Sequence, residues 1–322
     1  MAPSAARPDS RGHWEMAWAA ALPAALIAGS FLVPGIGVLA AFLWPLGVAA
    51  LVRWSFGHGT GALAVGLCAV LVTAILSAIL GWGPGLGVGA GTVLLTGLPV
   101  FFAGRVRGGL DPSRAFLGLC VAGIALFEVL LLARPAIGEA PLGTVLATFL
   151  DANIPLAVES WRHSKVDAAT LEQMKASALQ MRNLVVRYWP GLFALGWVLA
   201  SAVTFYVGAW AARPASAAQS ARFERLQIPA GVAALFVLAG AGFGLIPGVT
   251  RSVAGDVLLA LAGLYFVAGL SIICHFARAW FRAPVVRFGL YVLVAYPPMN
   301  LGVALLGLFD WYVKFRRRGE KE

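Results

Sequence analysis

The 322-residue chain is 60% hydrophobic and only 12% charged, and it carries a formal net charge of +10. Soluble globular chains have roughly 25% charged residues, so this balance excludes a pair of soluble domains and predicts a polytopic membrane protein. The basic residues fall in short loops and at the ends of apolar runs. This placement argues against a nucleic-acid partner and favours anionic lipid headgroups.

The two ends of the chain differ in character from its long central part. Residues 1–13 contain Pro, Ser and Arg and are predicted to be disordered. Residues 14–312 form one predicted integral membrane domain, and residues 313–322 form a basic tail.

Long uncharged runs predict transmembrane helices. Residues 16–52 contain no Asp, Glu, Lys or Arg, and one straight helix of that length would reach about 55 Å, well beyond a ~30 Å hydrocarbon core. Pro34-Gly35 divides this run, and the Gly-rich residues 81–85 divide the next. The predicted spans cover residues 15–33, 36–53, 60–80, 86–104, 115–133, 188–212, 226–250, 257–277 and 288–309. Because the runs are unbroken, we expect an all-α polytopic bundle of eight or nine transmembrane helices.

Residues 133–187 form a predicted amphipathic helical connector between spans five and six. Charged residues recur along this segment, so no window in it is predicted to cross a bilayer. Thr170 and Gln173 match a capping box, and apolar residues follow at helical spacing. The apolar stripe contains Leu171, Met174, Ala178, Met181 and Val185. We therefore expect residues 164–187 to form a surface helix, which is either a plain connector or a lever that binds a protein partner.

The charge distribution leaves the orientation open. Nine spans place the two termini on opposite sides of the membrane, and the 24 basic residues then divide equally between the sides. The consecutive arginines Arg316–Arg318 favour a cytoplasmic tail in a bacterial inner membrane. Lys314, Arg316, Arg317 and Arg318 are accordingly the residues expected to contact lipid headgroups.

Glu128 is the one acidic residue inside the fifth predicted span. An ionised carboxylate at such a depth costs several kcal/mol unless it is paired or protonated. Two interpretations stay open. The side chain faces a cavity and contacts a proton, a cation or a substrate, or it makes a structural hydrogen bond or ion pair to a neighbouring helix.

Three further features complete the predicted intramembrane polar site. Pro297 and Pro298 interrupt the last span, and the carbonyl groups that they free need partners, as does the Asn300 amide. Such a break is either a packing kink or part of a cavity. His275 lies near the end of the eighth span, where an interfacial hydrogen bond is as simple an explanation as a ligand contact.

Enzymatic motifs are missing from the sequence. There is no HExxH, no Walker motif and no GxSxG, and no span carries two carboxylates. The three cysteines lie in apolar runs without metal-ligand spacing. We therefore expect no catalytic residue, no cofactor and no metal, and a protein that is not an enzyme.

Several short motifs are spread in order over most of the chain. They are Trp44-Pro45-Leu46-Gly47 with Arg53 and Gly57, Phe223 with Ile228-Pro229, Gly269-Leu270-Ser271, and Gly307–Trp311 with Phe315–Arg317. Together they resemble the YybS-like family of predicted bacterial membrane proteins, whose function is unknown. That family often has a polar residue where this chain has Ala268. It is distantly similar to the substrate-binding subunits of energy-coupling-factor transporters, and this similarity implies small-molecule capture within a helical bundle.

The leading functional hypothesis is an integral membrane protein that binds or transports a small molecule through Glu128 and the Pro297–Asn300 break. The alternative hypothesis is a membrane scaffold or regulator of envelope assembly that acts through residues 164–187 and the basic tail. The sequence does not specify a ligand or an oligomeric state.

Overall fold

The fold is helical throughout the residues that the structure describes. A computed structural model describes residues 45, 48–53, 55–56, 97–133, 140–164, 167–212, 222–281, 283, 285–286, 289–290, 294, 297–313 and 315. The helices with defined bounds are α1 (Pro112–Ala133), α2 (Leu142–His163), α3 (Ala168–Ala211), α4 (Ala230–Leu245), α5 (Val249–Trp280) and α6 (Pro297–Val313). A single 3-10 turn covers Phe223–Arg225, and residues 48–53 and 97–107 are also helical.

The bundle alternates in direction. Phe127 stacks on Phe193 while Phe116 lies near Tyr206, with ring centroids 5.4 Å apart, so α1 is antiparallel to α3. Helix α4 returns antiparallel to α5, because the Phe236 and Tyr265 rings meet edge to face while Gly242 lies beside Ala254. The bundle therefore has one end at which α1 and α4 finish and α5 begins. We call it the acidic end, and we call the opposite end the basic end.

The core is aromatic and fills the half of the bundle nearer the basic end. Phe56, Phe116 and Phe205 are fully buried, and the Phe56 and Phe205 rings meet edge to face with centroids 5.8 Å apart. Trp197 donates its Nε1–H to the carbonyl of Leu119 at 3.3 Å, so that the polar end of this large buried ring is satisfied. This core fixes α1 against the second half of α3.

Glycines allow α5 and α6 to approach at backbone distance. A Cβ on Gly269 would collide with the carbonyl oxygen of Val303, and one on Gly307 would collide with the carbonyl oxygen of Tyr265. The two helices are antiparallel, since residue 269 lies beside 303 and residue 265 beside 307. In lipid, where helices gain little from hydrophobic association, such small-residue contacts hold neighbouring helices together.

The predicted count of eight or nine spans is not supported by the described part of the chain. Four described helices are long and apolar enough to cross a membrane, namely α1, α2, α3 and α5, and α4 is a shorter apolar helix. The first four predicted spans lie largely outside the described residues, as do residues 1–13. The basic tail is described only at Phe315 and, just before it, at the end of α6.

The connector prediction is wrong in one respect. Helix α2 lies within residues 133–187, yet an 18-residue stretch of this 22-residue helix has a mean hydropathy of 1.2, enough to qualify as a span by length and composition. The reason is the distribution of charge. Asp151 is the only charged residue in the first 17 residues of α2, whereas Glu159, Arg162 and His163 lie in its last turns.

The predicted surface helix and the predicted sixth span are one continuous element. Helix α3 is 44 residues long and bends at Tyr188, whose φ of −116° and ψ of 21° are not helical. Pro190 follows two residues later and explains the bend, because proline removes a backbone donor and crowds the preceding turn. The sequence boundary at residue 188 is therefore a kink and not a helix end.

Helix α2 and residues 168–187 of α3 form an antiparallel pair that we call the hairpin. Arg182 donates two hydrogen bonds to Asp151, from Nη2 to Oδ2 at 2.7 Å and from Nε to Oδ1 at 3.0 Å. No residue of α2 is buried, and the buried residues of α3 begin only at Gly191. Twenty helical residues reach about 30 Å, so the hairpin stands away from the bundle core at the acidic end.

The apolar stripe predicted for this segment faces mainly the other arm of the hairpin. Leu171, Met174, Ala178 and Val185 are partly covered, whereas Met181 is 61% exposed. Asp167 caps the start of α3 by accepting a hydrogen bond from the Thr170 N–H at 2.9 Å. The capping residue is thus Asp167 and not the Thr170 of the predicted capping box.

The break predicted inside the last span lies at the start of a helix. Helix α6 begins at Pro297, where proline is well tolerated because the first backbone N–H groups of a helix have no partner within it. Helical residues 285–286, 289–290 and 294 precede it. The kink predicted at Pro297 and Pro298 depends on residues 295–296, which lie outside the described part of the chain.

Candidate functional site

Two carboxylates from different helices lie at the acidic end of the bundle. Glu128 lies five residues before the end of α1, and Asp256 lies seven residues after the start of α5. Both side chains are partly buried, and both residues lie beside the α3 kink, Glu128 through its neighbour Phe127 and Asp256 through its hydrogen bond with Gly191. Among the described residues, no salt bridge reaches either of them. The described part of the chain therefore places two partly buried acids at this end, and neither has an ion-pair partner among the described residues.

The α3 kink supplies one side of the site. Asp256 Oδ1 accepts a hydrogen bond from the Gly191 N–H at 3.0 Å, 65 positions away in the sequence. In this position Asp256 acts as a cap for the half of α3 that follows the kink. A Cβ on residue 191 would lie 2.6 Å from the Asp256 Cα, so only glycine allows the two backbones to come this close.

Aromatic rings surround the kink. Phe127, the neighbour of Glu128, stacks on Phe193 and meets the Trp189 ring edge to face with centroids 6.2 Å apart. Tyr188 packs against Gly255, the residue before Asp256. The residue that precedes each carboxylate in the sequence therefore packs against an aromatic ring. Such surroundings reduce the solvation of the carboxylates and raise the cost of holding two negative charges there.

Two described arginines at the acidic end each lie over an aromatic ring. The Arg187 guanidinium lies over the Tyr188 ring at 5.3 Å, and that of Arg251 lies over the Phe243 ring at 5.0 Å. Both arginines give this end of the bundle a positive field that offsets part of the charge of the pair.

The structure does not bring the other predicted site residues to Glu128. His275 lies nineteen residues beyond Asp256 on α5, or about 28 Å along the helix, and its ring contacts Phe276. Asn300 and Pro298 are exposed in the first turn of α6, toward the basic end. The predicted polar site thus divides between opposite ends of the bundle, and Glu128 keeps none of its predicted neighbours.

Arginines predominate among the described charged residues of the basic end. Glu224 forms an ion pair with Arg278, and Gln227 donates its N–H to Ser113 Oγ at 3.2 Å. The described arginines at this end are Arg53, Arg105, Arg107, Arg114, Arg222, Arg225 and Arg278. The predicted headgroup residues Lys314 and Arg316–Arg318 lie outside the described residues.

Asp256 is the functional candidate that the sequence analysis missed. It stands one position before the predicted eighth span, where a charged residue marks a span end. The signal available in the sequence was Pro190, which disrupts a helix and leaves backbone groups in need of a partner. Nothing in the sequence alone linked that need to a residue 65 positions later.

The chemistry open to this site is limited by its donor set. Within the described ranges, no group of three or more His, Cys, Asp or Glu side chains could hold a metal ion. Two neighbouring carboxylates can share one proton, or they can bind a small cation together with solvent or backbone ligands. Neither role requires a nucleophile or a fixed cofactor.

Comparison with known proteins gives a family and no close relative. No curated protein matches the chain, and no solved structure matches it. A family model described as "Predicted membrane protein (DUF2232)" matches residues 21–311, which is most of the chain and includes α1 to α5 and nearly all of α6. The chain therefore belongs to the DUF2232 family of predicted membrane proteins.

Proposed function

We propose that this membrane protein is a small-molecule-binding or transport component of the bacterial cytoplasmic membrane, and that it is not an enzyme. Its binding site would be the Glu128–Asp256 pair, with a proton or a small cation as the exchanging species. The resemblance to the YybS-like family and to energy-coupling-factor binding subunits belongs to this proposal as supporting analogy.

One observation carries the proposal: Glu128 on α1 and Asp256 on α5 lie on either side of the α3 kink, and no salt bridge among the described residues reaches either of them. A purely structural acid in a membrane bundle is expected to be paired off, because an unpaired ionised carboxylate is costly there. Two such groups close together favour whichever species neutralises them. Two acids whose negative charge is offset only in part by the described arginines are suited to binding a positive charge reversibly.

Ligand-dependent stabilisation of the purified protein tests the site. The detergent-solubilised chain would be heated with sodium, potassium, magnesium or manganese chloride, or with ethanolamine, at constant ionic strength, and then with vitamins and lipid precursors. A ligand at one hundred times its dissociation constant stabilises the folded state by about 2.7 kcal/mol. We expect at least one of the cations to raise the unfolding temperature.

Substitutions locate the response. Glu128→Gln should abolish the stabilisation and leave the unliganded protein at least as stable as the wild type, because it removes a like-charge repulsion. Glu159→Gln is the matched control, since Glu159 is an exposed acid on α2 that pairs only within its own helix. A cation response that survives in Glu128→Gln would refute the assignment of the site.

The hairpin favours the alternative function, a scaffold or regulator of envelope assembly. It stands outside the core, and Phe149, Leu156 and Met181 are each at least 60% exposed. If this alternative is correct, replacing all three by Ser should abolish function in cells while the cation response of the purified protein is unchanged.

A further inference from the structure

We propose that the α3 kink is a hinge, and that the occupancy of Asp256 sets the angle between the hairpin and the bundle. This inference rests on the proposed function, because the occupant is the proton or cation held by the Glu128–Asp256 pair. It adds a mechanical output to that site. Binding between α1 and α5 would be converted into movement of a part of the chain outside the bundle.

The first step is that the hairpin is a rigid lever. Residues 168–187 are helical without interruption up to the kink at Tyr188, and the two-point contact between Arg182 and Asp151 ties them to α2. The two arms therefore move together. A change of angle at the kink is carried to the tip of the hairpin about 30 Å away.

The second step is that Asp256 holds the kink directly. Pro190 cannot donate a hydrogen bond, and the next N–H, that of Gly191, donates to Asp256 Oδ1. An ionised carboxylate makes a stronger hydrogen bond to a backbone N–H than a neutral group does. When a proton or cation occupies the carboxylate, this bond weakens and the kink loses one of its restraints.

The third step is that residues of the kink contact elements on both sides. Tyr188 packs against Gly255 on α5, and Trp189 packs between Phe127 on α1 and Gly143 at the start of α2. A small displacement at Asp256 is therefore transmitted to the base of both hairpin arms through packed side chains. Interfaces of this kind shift between discrete arrangements and do not deform continuously.

Among the described residues, each helix at the acidic end contributes one or two charged or titratable groups, or none. Helix α1 contributes Glu128, α3 contributes Arg187 and Tyr188, α5 itself contributes Arg251, and α6 contributes Asp310 in its last turns. The residue of α4 that packs beside Gly255 is the apolar Phe243. Glu128 and Asp256 lie on either side of the α3 kink, so we expect the two carboxylates to respond as a pair.

Distance measurements between spin labels test the hinge in the full-length protein. Labels would be placed at Ala176→Cys on the exposed face of the hairpin and at Val121→Cys on the exposed face of α1, in a background without native cysteines. Ala176 lies twelve residues before the kink, or about 18 Å. A change of about 20° in the kink angle would then move the label by about 6 Å.

Two variants of Asp256 separate the hydrogen bond from the charge. Asp256→Ala removes the acceptor and should shift or broaden the distance distribution by about 6 Å at every pH, by the same lever argument. Asp256→Asn keeps a neutral acceptor and should show, at every pH, the distribution that the wild type adopts only in acid. Identical distributions for the wild type and Asp256→Ala at pH 8 would overturn the inference.

A third variant keeps the hinge testable if Asp256→Ala does not fold. Pro190→Ala restores a backbone donor and allows α3 to straighten, so the labels should move in this variant as well. If neither Pro190→Ala nor Asp256→Asn moves the labels relative to the wild type at pH 8, the kink is not a hinge.

The two proposals fail in different ways. Stabilisation by a cation without label movement would leave the binding function in place and eliminate the hinge. Label movement in Asp256→Ala and in acid, without stabilisation by any cation, would support a hinge that responds to protons and would eliminate cation binding.

Discussion

The glycine contact between α5 and α6 makes a quantitative prediction for Gly307→Ala. The new methyl group would collide with the carbonyl oxygen of Tyr265, and the Gly269 nitrogen would lie 2.7 Å from it. Both obstacles are backbone atoms, so no side-chain rotation can relieve the clash. Overpacking of this kind costs about 1–3 kcal/mol, and the helices must separate to accommodate it.

Gly302 provides a matched control in the same helix. A Cβ at residue 302 meets nothing within 4 Å, so Gly302→Ala should be neutral or should stabilise α6 by about 0.5–1 kcal/mol through its better helix propensity. The two Gly→Ala changes are chemically identical and differ only in what the methyl group contacts. The gain in helix propensity is common to both changes, so their difference in unfolding free energy should be the cost of overpacking, about 1–3 kcal/mol.

The assay is an SDS titration of the purified protein in mixed micelles, followed by far-ultraviolet circular dichroism and by tryptophan fluorescence. Gly307→Ala should unfold at a clearly lower SDS fraction than the wild type, and Gly302→Ala at the same or a higher fraction. Equal unfolding midpoints for the two variants would show that α5 and α6 are not in backbone contact, and the packing argument would be wrong.

Two further predictions concern the hairpin. Asp151→Ala should cost little global stability, because its ion pair with Arg182 is accessible to solvent. Hydrogen exchange should quicken in α2 and not in the bundle, and an unchanged α2 would contradict the pairing. The hydrogen bond from Thr170 lowers the pKa of Asp167. Its capping contribution is therefore present above the unfolded-state pKa of about 3.9 and lost as the pH falls through the lowered value, so acid should quicken exchange in the first turn of α3, an effect absent from Asp167→Ala. Acid sensitivity that persists in Asp167→Ala would assign it to another group.

The sequence predicted where helices occur in the described bundle better than it predicted their boundaries and their packing against one another. Uncharged runs of sufficient length located α1, the second half of α3 and most of α5, because in lipid the backbone must satisfy its own hydrogen bonds. The boundaries failed where charge and helix formation are independent. Residues 168–187 are too charged for a bilayer core, yet nothing in them stops a helix, so α3 continues through residue 188.

The sequence analysis named one of the two carboxylates of the candidate site. Glu128 could be identified because an acid inside an apolar run is conspicuous. Asp256 could not, since its role depends on a contact with Gly191 that no local pattern encodes. Similarly, Gly269 and Gly307 were recognised only as motif residues, and the structure shows them at the α5–α6 contact. Long-range pairing of helices is the information that periodicity and composition lack.

The shortness of α4 has a consequence for the surrounding lipid. Its 16 residues connect the two ends of the bundle, but they extend only about 24 Å, some 6 Å less than a typical hydrocarbon core. Leu235, Val237 and Leu238 are exposed along it, so we expect acyl chains to contact this helix in a bilayer. Hydrophobic mismatch should thin the bilayer beside α4 and favour residence in membranes with shorter or more disordered chains.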